Sequence, residues 1–330
     1  MTQRSLFRTI GNHDRRRRWL GSPVSTTVGN LPYIYQSVPD FERRAFGLTD
    51  SNGGKTRIHE RLDLIVRKPF GDDQHFVPLG AVSKNYVLIP HKDVLDIACE
   101  ALQGVEVDPW EVQVELTLTE YGERMHLRIY LPPKYYFDPG DGNLMAMRLE
   151  CLNSVDGSTK FQAFMGWYRF VCSNGLIVGV THMDLRRRHT WGLNLLDVIE
   201  VLNYGLETAG KERENLSKWQ KRPIKIDERF ISWIEKDVFK SWGFKAAARA
   251  YHISIAGYDV EVAGAYKNQT PTTIAVRQTQ KVPGMNGGAT NAFSVSQVLA
   301  WLAKERNDVQ EQYEWRQRIP YMMTNLLRRY

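Results

Sequence analysis

Cysteine is scarce: Cys99, Cys151 and Cys172 are the three in 330 residues. They are widely spaced, with no CxxC pair and no histidine at ligand spacing. That excludes a disulfide framework and a cysteine-based zinc site, and leaves them as small core residues of a reduced, cytosolic protein. Also missing is any apolar run of the roughly eighteen residues a membrane span requires, and no apolar stretch follows the arginines of the N-terminus. The expectation is a soluble, unexported chain with no membrane partner. For such a chain the sequons Asn215-Leu216-Ser217 and Asn268-Gln269-Thr270 carry no meaning. No internal repeat is visible.

Convergent chemistry is lacking as well. The eight histidines stand alone. His182 and His189, seven apart with Asp184 between them, come nearest to a metal pattern, but no helix gives that pair the favoured i, i+4 spacing. His252 follows Tyr251 on a helix of small residues and reads as a core or interface histidine. Gly53-Gly54-Lys55-Thr56 ends like a phosphate-binding loop, yet Thr49 stands where the first glycine belongs and no apolar strand leads in. Asp138, Asp141 and Asp156 lie in turns, where aspartate bonds its own backbone; a cation site would need two of them to meet. With no nucleophile–base pair or carboxylate pair in view, the chain reads as a non-enzyme that needs no cofactor and no metal.

What the chain does carry is unevenly placed charge. The formal net charge is +7. Residues 1–61 hold eleven Lys or Arg against five Asp or Glu, so almost the whole excess sits in the first fifth. Arg15, Arg16, Arg17 and Arg18 are consecutive, and Trp19, Tyr33, Tyr35 and Phe41 follow between them and the pair Arg43-Arg44. This resembles a basic arm, residues 1–60, irregular or ordered in part on a partner, attached to a near-neutral body; a polyanion is its commonest partner.

From residue 61 to 190 the pattern is that of strands. Leu62, Leu64 and Val66 alternate with charged residues, and Phe76 to Ile89 again reads as extended. Between these runs and the next, Pro90-His91-Lys92-Asp93 opens a helix that Gly104 ends. Val112 to Leu118 and Met125 to Leu131 alternate as a hairpin with one apolar face. Leu144 to Leu152 forms the next strand. Asp156-Gly157 and Ser173-Asn174-Gly175 are turn signals flanking an aromatic strand from Phe161 to Phe170. Both faces of that strand carry aromatics, so it is either sandwiched between two layers or open to a partner on one side.

After Arg186, Arg187 and Arg188 the chain turns helical. Leu195, Ile199, Leu202, Leu206 and Ala209 form an amphipathic face, Pro223 breaks it, and Asp227 caps a helix with Phe230, Ile231, Ile234 and Val238 inward. Phe244 to Ala256 is a further helix ending at Gly257, residues 260–282 are polar, and Phe293 to Leu302 resumes a helical face. The fold class expected is α+β: an antiparallel β-meander, then a mainly helical part over residues 191–330 packed on the β-rich core.

The arginines are the informative group. Arg186 to Arg188 follow a strand directly, and with Arg15 to Arg18, Lys160 and Arg169 they could line one positive groove for phosphates. Trp167 and Tyr168, if open, would stack on unpaired bases; if closed, they are core. The phrases VPLGAVSKNYVLIPHKDVLD, NSVDGSTKFQAFMGWYRFVCSNGL and TNAFSVSQVLAWLAK, in that order, resemble the phage- and plasmid-borne family of domain of unknown function 932, from about Leu62 to about Lys304. The arm and the tail after Arg306 fall outside the likeness. That resemblance implies a mobile-element protein in a bacterial cytoplasm and supplies no catalytic residue. A meander followed by helices is also similar in architecture to ring-forming single-strand annealing proteins. The partner expected is therefore nucleic acid, single-stranded DNA above all, bound by a homo-oligomer during recombination or replication; a host protein, as part of a defence system to be blocked, is the alternative.

Overall fold

The computed structural model describes residues 17–49, 56–171, 174–176, 185–187, 189–190, 194–263 and 275–330. In chain order, β1 (Arg18–Trp19) and β2 (Ser22–Gly29) lead to helix α1 (Leu31–Gln36), then to β3 (Phe41–Thr49), β4 (Thr56–Arg67) and β5 (Val77–Ser83). Helix α2 (His91–Gly104) precedes β6 (Gln113–Thr119), β7 (Arg124–Tyr130), β8 (Met145–Ser154) and β9 (Phe161–Arg169), followed by the short β10 (Asn174–Leu176) and β11 (Leu185–Arg187). Helix α3 (Asp197–Lys221) comes next, then α4 (Glu228–Trp233), which runs through a π-helical turn, Ile234–Phe239, into α5 (Lys240–Trp242). Finally come α6 (Phe244–Ala256), the strands β12 (Tyr258–Ala263) and β13 (Ala275–Lys281), and helices α7 (Ala292–Lys304) and α8 (Val309–Leu327). Strands dominate the first half and helices the second, so the protein is α+β.

The central sheet runs β1-β2-β6-β7-β8-β9-β10, with β11 also paired to β9, and β3-β4-β5 form a separate three-stranded sheet. Strict alternation sets the register from β6 to β9: Leu116, Leu127, Cys151 and Ala163 stand side by side on one face, and Glu115, Arg128, Glu150 and Phe164 on the other. Both faces are buried over all nine residues of β9, so the aromatic strand is of the sandwiched kind. Helix α3 covers the apolar face closely: a Cβ on Gly205 would stand 2.5 Å from Met165 Cγ, and the missing side chain allows that approach. Helix α8 reaches the opposite face, where Tyr313 packs on Phe164 with ring centroids 4.8 Å apart.

Several expectations need correction. The described part of the N-terminal stretch is no separable arm: β2 pairs with β6 along six residues from Val24 to Gly29, and β3 pairs with β4 across residue 60. Its β-branched Val24, Thr26 and Val28 fit an edge position whose ladder bonds come from β6, a long-range partner that no local period announces. The polar stretch 260–282 likewise holds the antiparallel pair β12–β13, matched from Ala263↔Ala275 to Tyr258↔Lys281. Ile231 is exposed beside its buried neighbour Phe230. Asn174 pairs with Arg169 inside a ladder, so the reversal comes ahead of Asn174-Gly175.

Candidate functional site

Alternation leaves β7 and β8 with a row of charged side chains facing away from the apolar layer, and the packing of α8 buries them. Glu150 is the centre. Its Oε1 accepts from Arg148 Nε at 3.0 Å and Arg316 Nη1 at 2.6 Å, and its Oε2 from Arg316 Nη2 and His126 Nε2, each at 2.8 Å. His126 Nδ1 in turn accepts from Arg128 Nη2 at 2.9 Å, which assigns the proton to Nε2. Arg128 also pairs with Glu115, whose second oxygen accepts from the Tyr130 hydroxyl at 2.8 Å. Burial, then the neighbouring Arg128, pushes the His126 imidazole down to about 3, so it is neutral. Burial pushes the Glu150 carboxyl up, but Arg148 and Arg316 outweigh it and hold the group well below the usual carboxylate range. Three guanidinium groups thus meet two carboxylates, Glu115 and Glu150, around a neutral imidazole. The cluster is closed to solvent and fixes α8 on the sheet.

At the edge of this face the side chains become accessible. Where β9 begins, Lys160 and Gln162 line a cleft of about 650 Å3 together with Leu20 and with Gln310, Gln317 and Arg318 of α8. Lys160 and Arg318 are exposed; Glu314 is the acidic residue of the lining. The N-terminal segment is seated at the same place, with Arg18 N donating to Asn307 O at 3.0 Å and Leu20 N to Asp308 Oδ2 at 2.7 Å. The backbone of β11 passes beside it, Arg186 opposite Gln162 and Arg187 opposite Phe161.

The candidate residues therefore divide. Arg17, Arg18, Lys160 and the backbones of Arg186 and Arg187 lie in the described structure, whereas Arg15, Arg16 and Arg188 are outside the described residues. Trp167 and Tyr168 are core, at 2% and 3% exposure. Trp167 packs edge-on to Phe137, 4.7 Å between centroids, and Tyr168 stands against Tyr130 at 4.8 Å. Arg169, 1% exposed, pairs with Asp141 and extends over Phe293. None of these three offers a face to a base or a phosphate in this conformation.

The acidic turns and histidines are also accounted for locally. Asp138 Oδ1 accepts from the backbone of Gly140, Asp141 and Gly142, and Asp156 accepts from Ser158 and Arg124. His189 stacks on Tyr86 at 5.0 Å and bonds Val87 O through Nδ1 at 3.1 Å; His182 and Asp184 lie outside the described residues. Among the described residues no group of three or more His, Cys, Asp and Glu could hold a metal ion. Sequence reasoning missed Arg318 and the Glu150 cluster. The alternation that put Met125, Leu127 and Ile129 inward already put Arg124, His126 and Arg128 on a shared opposite face, and that was the signal available.

No solved structure matches the chain. The UPF0380 protein YafZ of Escherichia coli (strain K12) is 27% identical over 133 residues, which is 39% of this chain and 44% of that protein; the chain spans less than half the length of that relative. The family model described as domain of unknown function (DUF932) matches residues 78–280, a segment that begins inside β5, contains the whole of β6 to β9 with Lys160, and ends in β13, so the chain belongs to the DUF932 family.

Proposed function

We propose that this protein is a non-enzymatic nucleic-acid-binding protein of a phage or plasmid, engaging single-stranded DNA in recombination or replication at the cleft between β9 and α8. One observation carries the reading: Lys160 and Arg318 line one accessible cleft, Arg18 is held near it by its backbone bond to Asn307, and the backbone of Arg186 pairs with the lining residue Gln162, although these come from four distant parts of the chain. Cations brought together in this way neutralise phosphates, and phosphate contacts give affinity with little sequence information. The neighbouring amide groups of Gln310 and Gln317 can bond sugar or base edges but select no single base. The volume is that of a small-ligand site, suited to a strand segment and not to a duplex. Because Trp167 and Tyr168 are in the core, the mode is electrostatic and not one of aromatic stacking.

The test is a gel-shift or anisotropy series with a labelled single-stranded oligonucleotide at rising salt. Binding at micromolar or tighter affinity is expected at about 50 mM salt, with a steep loss toward about 200 mM. Absence of binding at the lower salt overturns the proposal.

A further inference from the structure

A second surface is apolar and bordered on one side by negative charge, with the Lys92 amino group 5.6 Å from the centre of the Tyr35 ring. Helix α1, helix α2 and the segment after α2 form a groove of about 280 Å3 lined by Leu31, Pro32, Tyr35, Leu95, Cys99 and Pro109. Next in the chain, Trp110 is 66% exposed and borders an adjoining cleft of about 530 Å3 with Asn30, Pro132 and Pro133. An exposed tryptophan continuous with an apolar groove is the composition of an interface anchor and its pocket. Asp93, Asp96 and Glu100 stand at i, i+3 and i+7 on α2, so they share one face of the helix. All three are exposed. None makes an ion pair among the described residues, whereas Lys92 is taken up by Asp40 at 2.7 Å. Their field is felt in the groove: burial and then Asp96 raise both the Cys99 thiol and the Tyr35 hydroxyl above their ordinary values.

The occupant that fits an apolar groove with an acidic rim is a basic segment bearing large apolar side chains. This chain carries such a segment itself, Arg4-Ser5-Leu6-Phe7-Arg8-Thr9-Ile10. Reach favours supply by a second copy. The segment's connection enters the fold at Arg18, opposite Pro23, while α1 starts beyond the other end of β2, a strand's length of roughly 25 Å away at about 3.4 Å per residue. The eight residue steps of the linker from Ile10 to Arg18 cover at most about 29 Å when fully extended. A chain could therefore fill its own groove only with that linker stretched along the whole sheet, whereas a second copy imposes no such restraint.

We propose that the groove between α1 and α2 receives residues 4–10 of a second copy, with Leu6, Phe7 and Ile10 in the groove and Arg4 and Arg8 on the carboxylates of α2. This is a head-to-tail contact, which closes into a ring or continues as a filament according to the rotation between copies. It does not rest on nucleic-acid binding and is tested without it. Full-length Thr9→Cys/Cys172→Ser protein, treated with nuclease, is exposed to a short bismaleimide crosslinker; Cys99 is the native thiol of the groove. The expected product is a covalent dimer joined between the introduced thiol of one copy and Cys99 of the other, identified by peptide mass. It is lost in Cys99→Ser and reduced several-fold by Asp96→Lys with Glu100→Lys. Absence of a product joining the introduced thiol to Cys99, a product confined to single chains, or a yield indifferent to the α2 charges would each overturn the proposal.

Discussion

Glu150 and Arg316 are separated by 166 residues and joined by two near-parallel hydrogen bonds of 2.6 and 2.8 Å, both partners buried. The pair ties the C-terminal helix to the middle of the sheet, and its members are not equivalent. Arg316→Met leaves Glu150 with Arg148 and His126 and should cost about 3–5 kcal/mol, the usual penalty for breaking a buried pair. Glu150→Leu should cost more, because it deprives two guanidinium groups and an imidazole of their common acceptor at once. Urea denaturation of the two variants gives the order; an unchanged midpoint for Arg316→Met would mean that the pair does not hold α8.

Gly205→Ala sets two effects against each other. Alanine favours the helix by up to about 1 kcal/mol. The new Cβ, however, would lie 2.5 Å from Met165 Cγ and 2.9 Å from its Cβ, and the second of these atoms cannot swing away. Overpacking of this kind costs about 1–3 kcal/mol, so the variant should be less stable than the parent by thermal melting. A rise in melting temperature would show that α3 can move off β9 at little cost.

The meander was legible because its signal is local. Val114 to Leu118 and Met125 to Ile129 alternate so strictly that face, register and hairpin follow from the residues themselves. Asp227, read as a cap, accepts from the backbone of Arg229 and Phe230, and Gly257 ends α6 at φ 74°, again local chemistry. What escaped depends on distant partners. Ser22 to Gly29 is a strand because β6 offers an edge, and the exposed β13 because β12 does. The cleft was half legible: Lys160 was identified, but its place in one cleft with Arg318 depends on where α8 lies. Trp167 and Tyr168 could be read as core or as open, since the two faces of β9 are alike in sequence and only their cover distinguishes them.

Buried histidines set the acid limb of stability. Burial holds the His91 imidazole at about 4, against an ordinary value near 6.5; its Nε2 bonds Gly122 O at 2.8 Å. Above pH 6.5 neither state is protonated. Below it the unfolded chain takes up the proton and the folded chain does not, so stability falls as pH drops from 6.5 toward 4, at up to about 1.4 kcal/mol per unit for one such group. His126 and His189 are lowered in the same direction and add to the slope. Denaturant midpoints between pH 7 and 4.5 should decline steeply, and His91→Gln, whatever its stability at pH 7, should decline less. Equal slopes would remove His91 from this account.

Core and cleft substitutions should separate stability from binding. Trp167 is packed by Phe137 on an edge and by the Arg213 guanidinium 5.6 Å from its ring centre, so Trp167→Ala should cost about 3–5 kcal/mol. The gentler Trp167→Phe keeps an apolar ring in place and should leave the salt dependence of single-stranded DNA binding unchanged. Lys160→Glu touches an exposed side chain, so its stability should stay within about 0.5 kcal/mol of the parent. Its log–log salt slope should fall by about one for the lost phosphate contact. Arg318→Glu should act in the same sense, with a small added cost for the bond its guanidinium makes to Ser241 O at 2.6 Å. Anisotropy titrations at several salt concentrations read both quantities. A stable Trp167→Phe protein that no longer binds would return the aromatic strand to the binding surface, and a Lys160→Glu protein with the parental slope would remove the cleft from it.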